Sequence, residues 1–359
     1  MDLKALLADP RRRNLAVLAG VAILSLLLAL GALWRQSSFG EHAAAAEQFF
    51  PGLAKDIRTA AHIHVAYKAG AFDVVFVPEK GWVVPERANY PASFDLVQRT
   101  LVGLAALQTI EPKTARPDWL HFLGLDAPPG GDGILIAVTD DKGHDLAALI
   151  AGKSEDIGDP SGATGLYVRH PKENQAWLVR SVLDPRAAIA DWLNKTVLDV
   201  DRSRIKEVDV DPAGSPSFVL ERALPSDPDF TLSPIPAGRS VADPAAPDGV
   251  AAAITAFGFD DVAPAQGKID LSNPLLLARV ITKTFDGLMV TVNVQHIGAD
   301  YWASLFAEGA KPDAAKEAAA INAHAAGWAY KLPGFKGQLF MTTLDSLLKA
   351  PEPPAAAPR

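Results

Sequence analysis

The 359-residue chain has no cysteine. That absence excludes disulfides, cysteine-ligated metals and cysteine nucleophiles, and it suits an oxidising compartment. Two catalytic signatures are missing as well: neither the serine elbow G-x-S-x-G nor the zinc motif H-E-x-x-H occurs. Basic charge is scarce beyond the first few dozen residues. Residues 1–35 carry Lys4, Arg11, Arg12, Arg13 and Arg35 against Asp2 and Asp9, a net +3, so the rest of a chain of net charge −8 carries −11. An acidic body argues against nucleic acid as a partner, since phosphate contacts need a basic surface. No aromatic-and-basic RNA-binding pattern is present either.

One stretch, LAVLAGVAILSLLLALGAL from Leu15 to Leu33, runs nineteen residues without a charge. At about 1.5 Å per residue this roughly matches a hydrocarbon core of about 30 Å. A secretory signal cleaved near HAAAAEQ is the competing reading, but its apolar region is usually shorter, about 7–15 residues. Arg11–Arg13 precede the span and only Arg35 follows it, so the positive-inside rule puts the N-terminus in the cytoplasm and everything after Trp34 outside. Trp34 is placed as an interfacial anchor, and Ala16 with Gly20 forms a small-xxx-small pair on which a second helix could pack.

Beyond the span the patterning changes to short strands and helices. Ile63, Val65 and Tyr67 alternate with His62, His64 and Lys68, the signature of a half-buried strand. FDVVFV and GWVVPE read as two more strands. Phe94, Val97, Leu101 and Leu104 then fall at helical spacing behind a cap at Ser93, and the unit leaves through IEP. The same order returns in EVDVD, SFVLER, DFTLSP, PDGVAAAITAFG and VAP, which marks an internal repeat. A third, weaker round runs through LLLARVITKTF, GLMVTVNVQ, DYWASLF and KPDAAKEAAAINAHAAG, followed by a turn and a last helix.

The expected division is a basic cytoplasmic N-terminus (1–14), a transmembrane helix (15–34) and a tether (35–48). There follow a first α+β unit (49–123), a β-hairpin insert with a short helix capped at Asp184 and Pro185 (124–196), a second unit repeating the first (197–270), a third unit (271–349) and a disordered Pro/Ala tail (350–359). The fold class is α+β, with small antiparallel sheets each covered by a helix.

Several segments taken in order resemble the bacterial domain-of-unknown-function family 4340. They are the N-terminal anchor, FPGL, LIAGKS…GLYVRHPKENQAWLV, DWLNKTVLDVDRSRI and TFDGLMVTV…YWA…GWAYKLPGFK. The resemblance implies a single-pass inner-membrane protein whose bulk is periplasmic. It also implies an integral-membrane transport complex as partner, either an ABC-type permease or a gliding-motility-type auxiliary subunit. The family has no established activity, so it supplies no catalytic residue and no cofactor.

The chemistry-like motifs fail on context. AGKS ends like a phosphate loop, but Ala147 stands where the first glycine belongs, residues 146–151 read as strand, and loop follows instead of a helix. His62 and His64 share a strand face without a third metal ligand at a recognisable spacing. DVDRSRIKEVDV lacks the glycine and the terminal acid of a calcium loop. The paired acids Asp140–Asp141 and Asp260–Asp261 sit in turns. No catalytic, cofactor or metal residue is therefore assigned. Lys153 and Arg169, flanking the loop GKSEDIGDPSGATGLYVR, are the expected contacts for an anionic partner. The leading expectation is a non-catalytic scaffold or accessory protein. The alternative is a periplasmic binder of an envelope glycan or lipid, for which Trp82, Trp177 and Trp302 are the aromatic candidates. A reporter fused after residue 60 is expected to be active only outside the cytoplasm; activity in the cytoplasm would overturn the topology.

Overall fold

The structure is a computed structural model that describes residues 47–266, 269, 271, 273 and 277–350. The Leu15–Leu33 span, Trp34, the Ala16–Gly20 pair and residues 351–359 lie outside the described residues. Among the described residues no helix is long and apolar enough to cross a membrane.

Two large antiparallel sheets organise the chain. The first contains β1 (Ala60–Tyr67), β2 (Gly70–Val77), β3 (Gly81–Val84), β4 (Tyr90–Pro91), β5 (Gln108–Pro112), β6 (Ile134–Asp140), β7 (Asp145–Glu155), β8 (Thr164–Arg169) and β9 (Ala176–Ser181), in the order β4-β3-β2-β1-β6-β7-β8-β9-β5. The second contains β10 (Ile205–Asp211), β11 (Phe218–Glu221), β12 (Thr231–Ser233), β13 (Asp261–Pro264), β14 (Ala278–Thr284), β15 (Leu288–Ile297), β16 (Asp300–Gly309) and β17 (Trp328–Leu332), in the order β12-β11-β10-β14-β15-β16-β17-β13. Helices are α1 (Leu53–Asp56), α2 (Phe94–Ala105), α3 (Ala246–Ala251), α4 (Pro312–Ala325), α5 (Gly334–Phe340) and α6 (Leu344–Leu347). The α+β class holds.

The three-unit division does not describe this architecture. With β4 set aside, the two sheet orders coincide strand for strand, so the repeat is twofold. The expected insert supplies β6 to β9 of the first sheet, and the expected third unit supplies β14 to β17 of the second. These segments are equivalents of one another, obscured in sequence because α4 intervenes between β16 and β17 where β8 and β9 are joined by a short turn. Two local readings also change. Residues 184–197 form only a 3-10 turn, Ile189–Trp192, because this backbone pairs with β4 and its neighbours instead: Ser93 N–H donates to Trp192 O and Asn194 N–H to Pro91 O. The segment after KPDAAKEAAAINAHAAG, expected as a turn, opens with WAYKL as strand β17, which pairs with both β16 and β13.

Elsewhere the pattern translates directly. Ile63 and Val65 are fully buried, as are Val290, Val292 and Val294, each set facing one way along its strand. Ser93 Oγ accepts the Leu96 N–H at 3.3 Å and starts α2.

The halves are joined by an aromatic knot and two cations. The Tyr90 ring packs edge-on against Phe259, Trp328 and Tyr330 at 5.9, 5.0 and 6.3 Å. Burial pushes the Tyr90 phenol up to about 12. Arg87, just before β4, grips both carboxylate oxygens of Asp261 on β13, at 2.5 and 2.9 Å. Lys195 lies over the Phe259 ring and donates to its carbonyl, and burial pushes the ammonium down. The Arg87–Asp261 pair is half-buried and bidentate, a geometry worth more than an exposed pair. Arg87→Ala and Asp261→Ala are each expected to lower unfolding stability by about 1–3 kcal/mol. A double-mutant cycle should give a coupling of about 1 kcal/mol or more; a coupling of zero would mean the pair does not hold the halves together.

Candidate binding groove

The inner face of the first sheet is covered by α2, but not to its end. On β2 the residues Phe72 and Val74 are buried, whereas Phe76, the next on the same face, is 47% exposed. Its cross-strand partner Trp82 stands against it edge-on at 5.8 Å. These rings and Ala61 form the floor of an open groove of about 650 Å³. One wall is α2, through Phe94, Val97, Leu101 and Val102; the other is the 3-10 turn Ile57–Thr59. Phe94, expected to pack inward, is 65% exposed, and Val102 is 54% exposed two turns further along. Full burial of such a side chain stabilises by roughly 1.5–3 kcal/mol, so this cluster leaves apolar area uncovered. A contiguous patch of this kind marks a binding surface more often than isolated exposed residues do.

The groove is poor in polar chemistry. Gln98 lies on α2, Arg58 on the opposite wall, and Asp141 in the β6–β7 turn at the lip. Among the described residues neither Arg58 nor Asp141 has an ion-pair partner. Among the described residues the lining holds one carboxylate, Asp141, and no histidine to move a proton.

The other chemistry-bearing groups hold the fold. Arg169, expected to meet an anion, is 6% exposed and gives its donors to the carbonyls of Leu125, His170, Pro171 and Glu173. It is therefore a structural cation, bound in the β8–β9 corner. Lys153 is exposed, and its Nζ donates to Phe122 O at 3.0 Å. The glycine of AGKS sits inside β7, where an added Cβ would lie 2.3 Å from Leu123 O. Gly152 thus serves a close backbone approach and not a phosphate. His62 and His64 do have a third neighbour, Asp73, which sequence spacing could not reveal because it arrives from β2 across the sheet. Its Oδ1 receives His64 Nδ1 at 2.7 Å and His62 Nε2 at 3.0 Å. Burial raises the Asp73 pKa, but the two histidine hydrogen bonds outweigh it and the carboxyl ends lowered. Among the described residues no group of three or more such side chains is arranged to hold a metal. Asp140 shapes the β6–β7 turn by accepting the Lys142 and His144 N–H groups, and Asp201 starts a 3-10 turn by accepting from Ser203. Trp177 packs against the core away from the groove, and Trp302 lies on β16.

Comparison with known proteins gives one match. No curated protein and no solved structure matches the chain. The family described as Domain of unknown function (DUF4340) matches residues 82–274, from Trp82 on the groove floor through the first half and into the second. The chain belongs to this family.

Proposed function

We propose that this protein is a non-catalytic, membrane-anchored envelope protein that works by holding the apolar part of an envelope lipid in the groove of its first half. One observation carries the reading: an open groove whose floor and walls are Phe76, Trp82, Phe94 and Val97, without a carboxylate pair or a histidine among the described residues. Sugar recognition calls for several polar partners per ring, and this lining offers few, so lipid fits better than glycan. The anchor read at Leu15–Leu33 would keep the groove near a bilayer. Only twelve residues separate Trp34 from Glu47, at most about 45 Å of extended chain.

A second reading, an accessory subunit docked on an integral-membrane transport complex, draws support from another surface. Trp119 and Phe122 project from the 3-10 turn Pro117–Leu123, 48% and 63% exposed. The two roles are compatible: the groove would face the lipid and this turn the partner.

The tagged full-length protein, solubilised in mild detergent, is expected to retain close to one lipid per chain. Phe94→Asp, which places a charge on an exposed groove wall, should reduce the retained lipid severalfold without lowering the melting temperature. Equal lipid content in both proteins would remove the groove from the account. Recovery of a stoichiometric membrane partner with no lipid would favour the docking role alone.

A further inference from the structure

The twofold repeat provides a comparison for the groove inside the same molecule. Register fixes the equivalences. Val74 faces Ile63 in the first sheet as Leu220 faces Val208 in the second. Both sheets carry a bulge at the same place, after Ala60 and after Ile205, opposite Asp140 and Thr284. A 3-10 turn precedes the strand in each case, Ile57–Thr59 and Arg202–Arg204. The turns opposite also correspond. Asp140 accepts the N–H of His144 as Thr284 accepts that of Leu288, and Gly143 and Gly287 both take positive φ, 81° and 96°. Phe76 is thereby equivalent to Arg222, Trp82 to Phe230 and Asp141 to Phe285.

In the second half this position is closed. Arg222 and Phe230 are 6% and 5% exposed. The guanidinium lies over the Phe230 ring at 4.8 Å and within 5.8 Å of Phe285. It donates to the carbonyls of Ile205, Asp227 and Arg202. One slender aliphatic stem with a satisfied polar head, under an aromatic lid, fills the space. In the first half the stem and head are replaced by a flat ring, and the lid by an exposed aspartate. The opening therefore lies at a position the fold is able to seal from within.

Resting on the lipid-binding reading above, we infer that the groove of the first half takes one acyl chain of a zwitterionic aminophospholipid, with the phosphate at Arg58 and the ammonium at Asp141. The two charged lip residues have opposite signs and stand on neighbouring turns at one end of the groove, Arg58 in the turn before Ala60 and Asp141 just after Asp140, the residue paired with Ala60; neither has an ion partner among the described residues. A phosphate and an ammonium joined by a short linker match that arrangement, while a fatty acid or an anionic lipid satisfies Arg58 alone. The occupant repeats what Arg222 does for the second half, an apolar stem carrying a charged head.

The test uses full-length protein with Trp34→Phe, in detergent micelles doped with lipids brominated on the acyl chain. Brominated phosphatidylethanolamine is expected to quench Trp82, seen as a component that disappears in Trp82→Phe. Brominated phosphatidylglycerol and a brominated fatty acid should need on the order of tenfold higher concentration, the scale of one lost charge-assisted hydrogen bond. Asp141→Asn should erase the preference for phosphatidylethanolamine, and Arg58→Gln should weaken both phospholipids; both substitutions are at exposed positions and leave folding intact. Phe76→Arg with Asp141→Phe installs the plug of the second half and should abolish quenching at an unchanged circular dichroism spectrum. Equal quenching by all three probes would overturn the headgroup assignment while leaving the groove a lipid site. No quenching of Trp82 by any of them, or displacement by an amphipathic helical peptide alone, would overturn the lipid site itself.

Discussion

The inner face of a wide antiparallel sheet must be covered, and in the first half α2, helped by α1 and the segment around Trp192, does not cover all of it. Twelve residues of α2 span about 18 Å. Phe72 is closed over by Trp192, edge-on at 6.0 Å, and Val74, Ile63 and Val65 are buried with it, while Phe76 stays 47% exposed. The rest of the arrangement follows from that shortfall. The groove is the uncovered end of a core, which is why its floor is built from strand residues of buried parity and its wall includes the exposed apolar side chains Phe94 and Val102 of α2. An opening of this origin selects an apolar occupant, since water on these rings carries the usual hydrophobic penalty.

The second half shows the same constraint met differently. Its strand β11 is followed directly by Arg222, whose guanidinium lies over the Phe230 ring and donates to three carbonyls. Different residues at three equivalent positions thus leave one half sealed and the other open. The sealed half also provides the platform: Asp261, Phe259, Trp328 and Tyr330 receive Arg87 and Tyr90 from the segment that follows the groove strand β3. Any change in the groove floor is therefore only a few residues away from the seam between the halves.

Much of this was legible in the sequence wherever the signal is local. The alternation of Ile63 and Val65, the run of apolar residues at alternate positions from Leu288 to Val294, the cap at Ser93 and the turn at Gly143 depend on near neighbours and translate into structure unchanged. The repeat of the strand–strand–strand–helix–strand order was visible too. What was not legible depends on pairing between distant segments. The short helix expected behind Asp184 and Pro185 yields to backbone bonds with Pro91 and Ser93. WAYKL becomes a strand because β13 and β16 offer it two edges. Arg169 looks like a surface cation until the β8–β9 corner closes over it. Phe94 has helical phase for burial, but among the described residues it is left 65% exposed, which is a property of the fold alone. For the same reason Trp82 could be singled out as an aromatic candidate while its groove could not be drawn.

The central claim is that the groove of the first half is occupied in the working protein and its counterpart in the second half is not. Amide hydrogen exchange on the full-length protein, with and without phosphatidylethanolamine in the micelle, addresses both halves in one measurement. Slower exchange confined to residues 57–61 and 94–102, with residues 202–206 and 246–251 unchanged, is the predicted result. Equal change in the two halves, or none in either, would contradict the account.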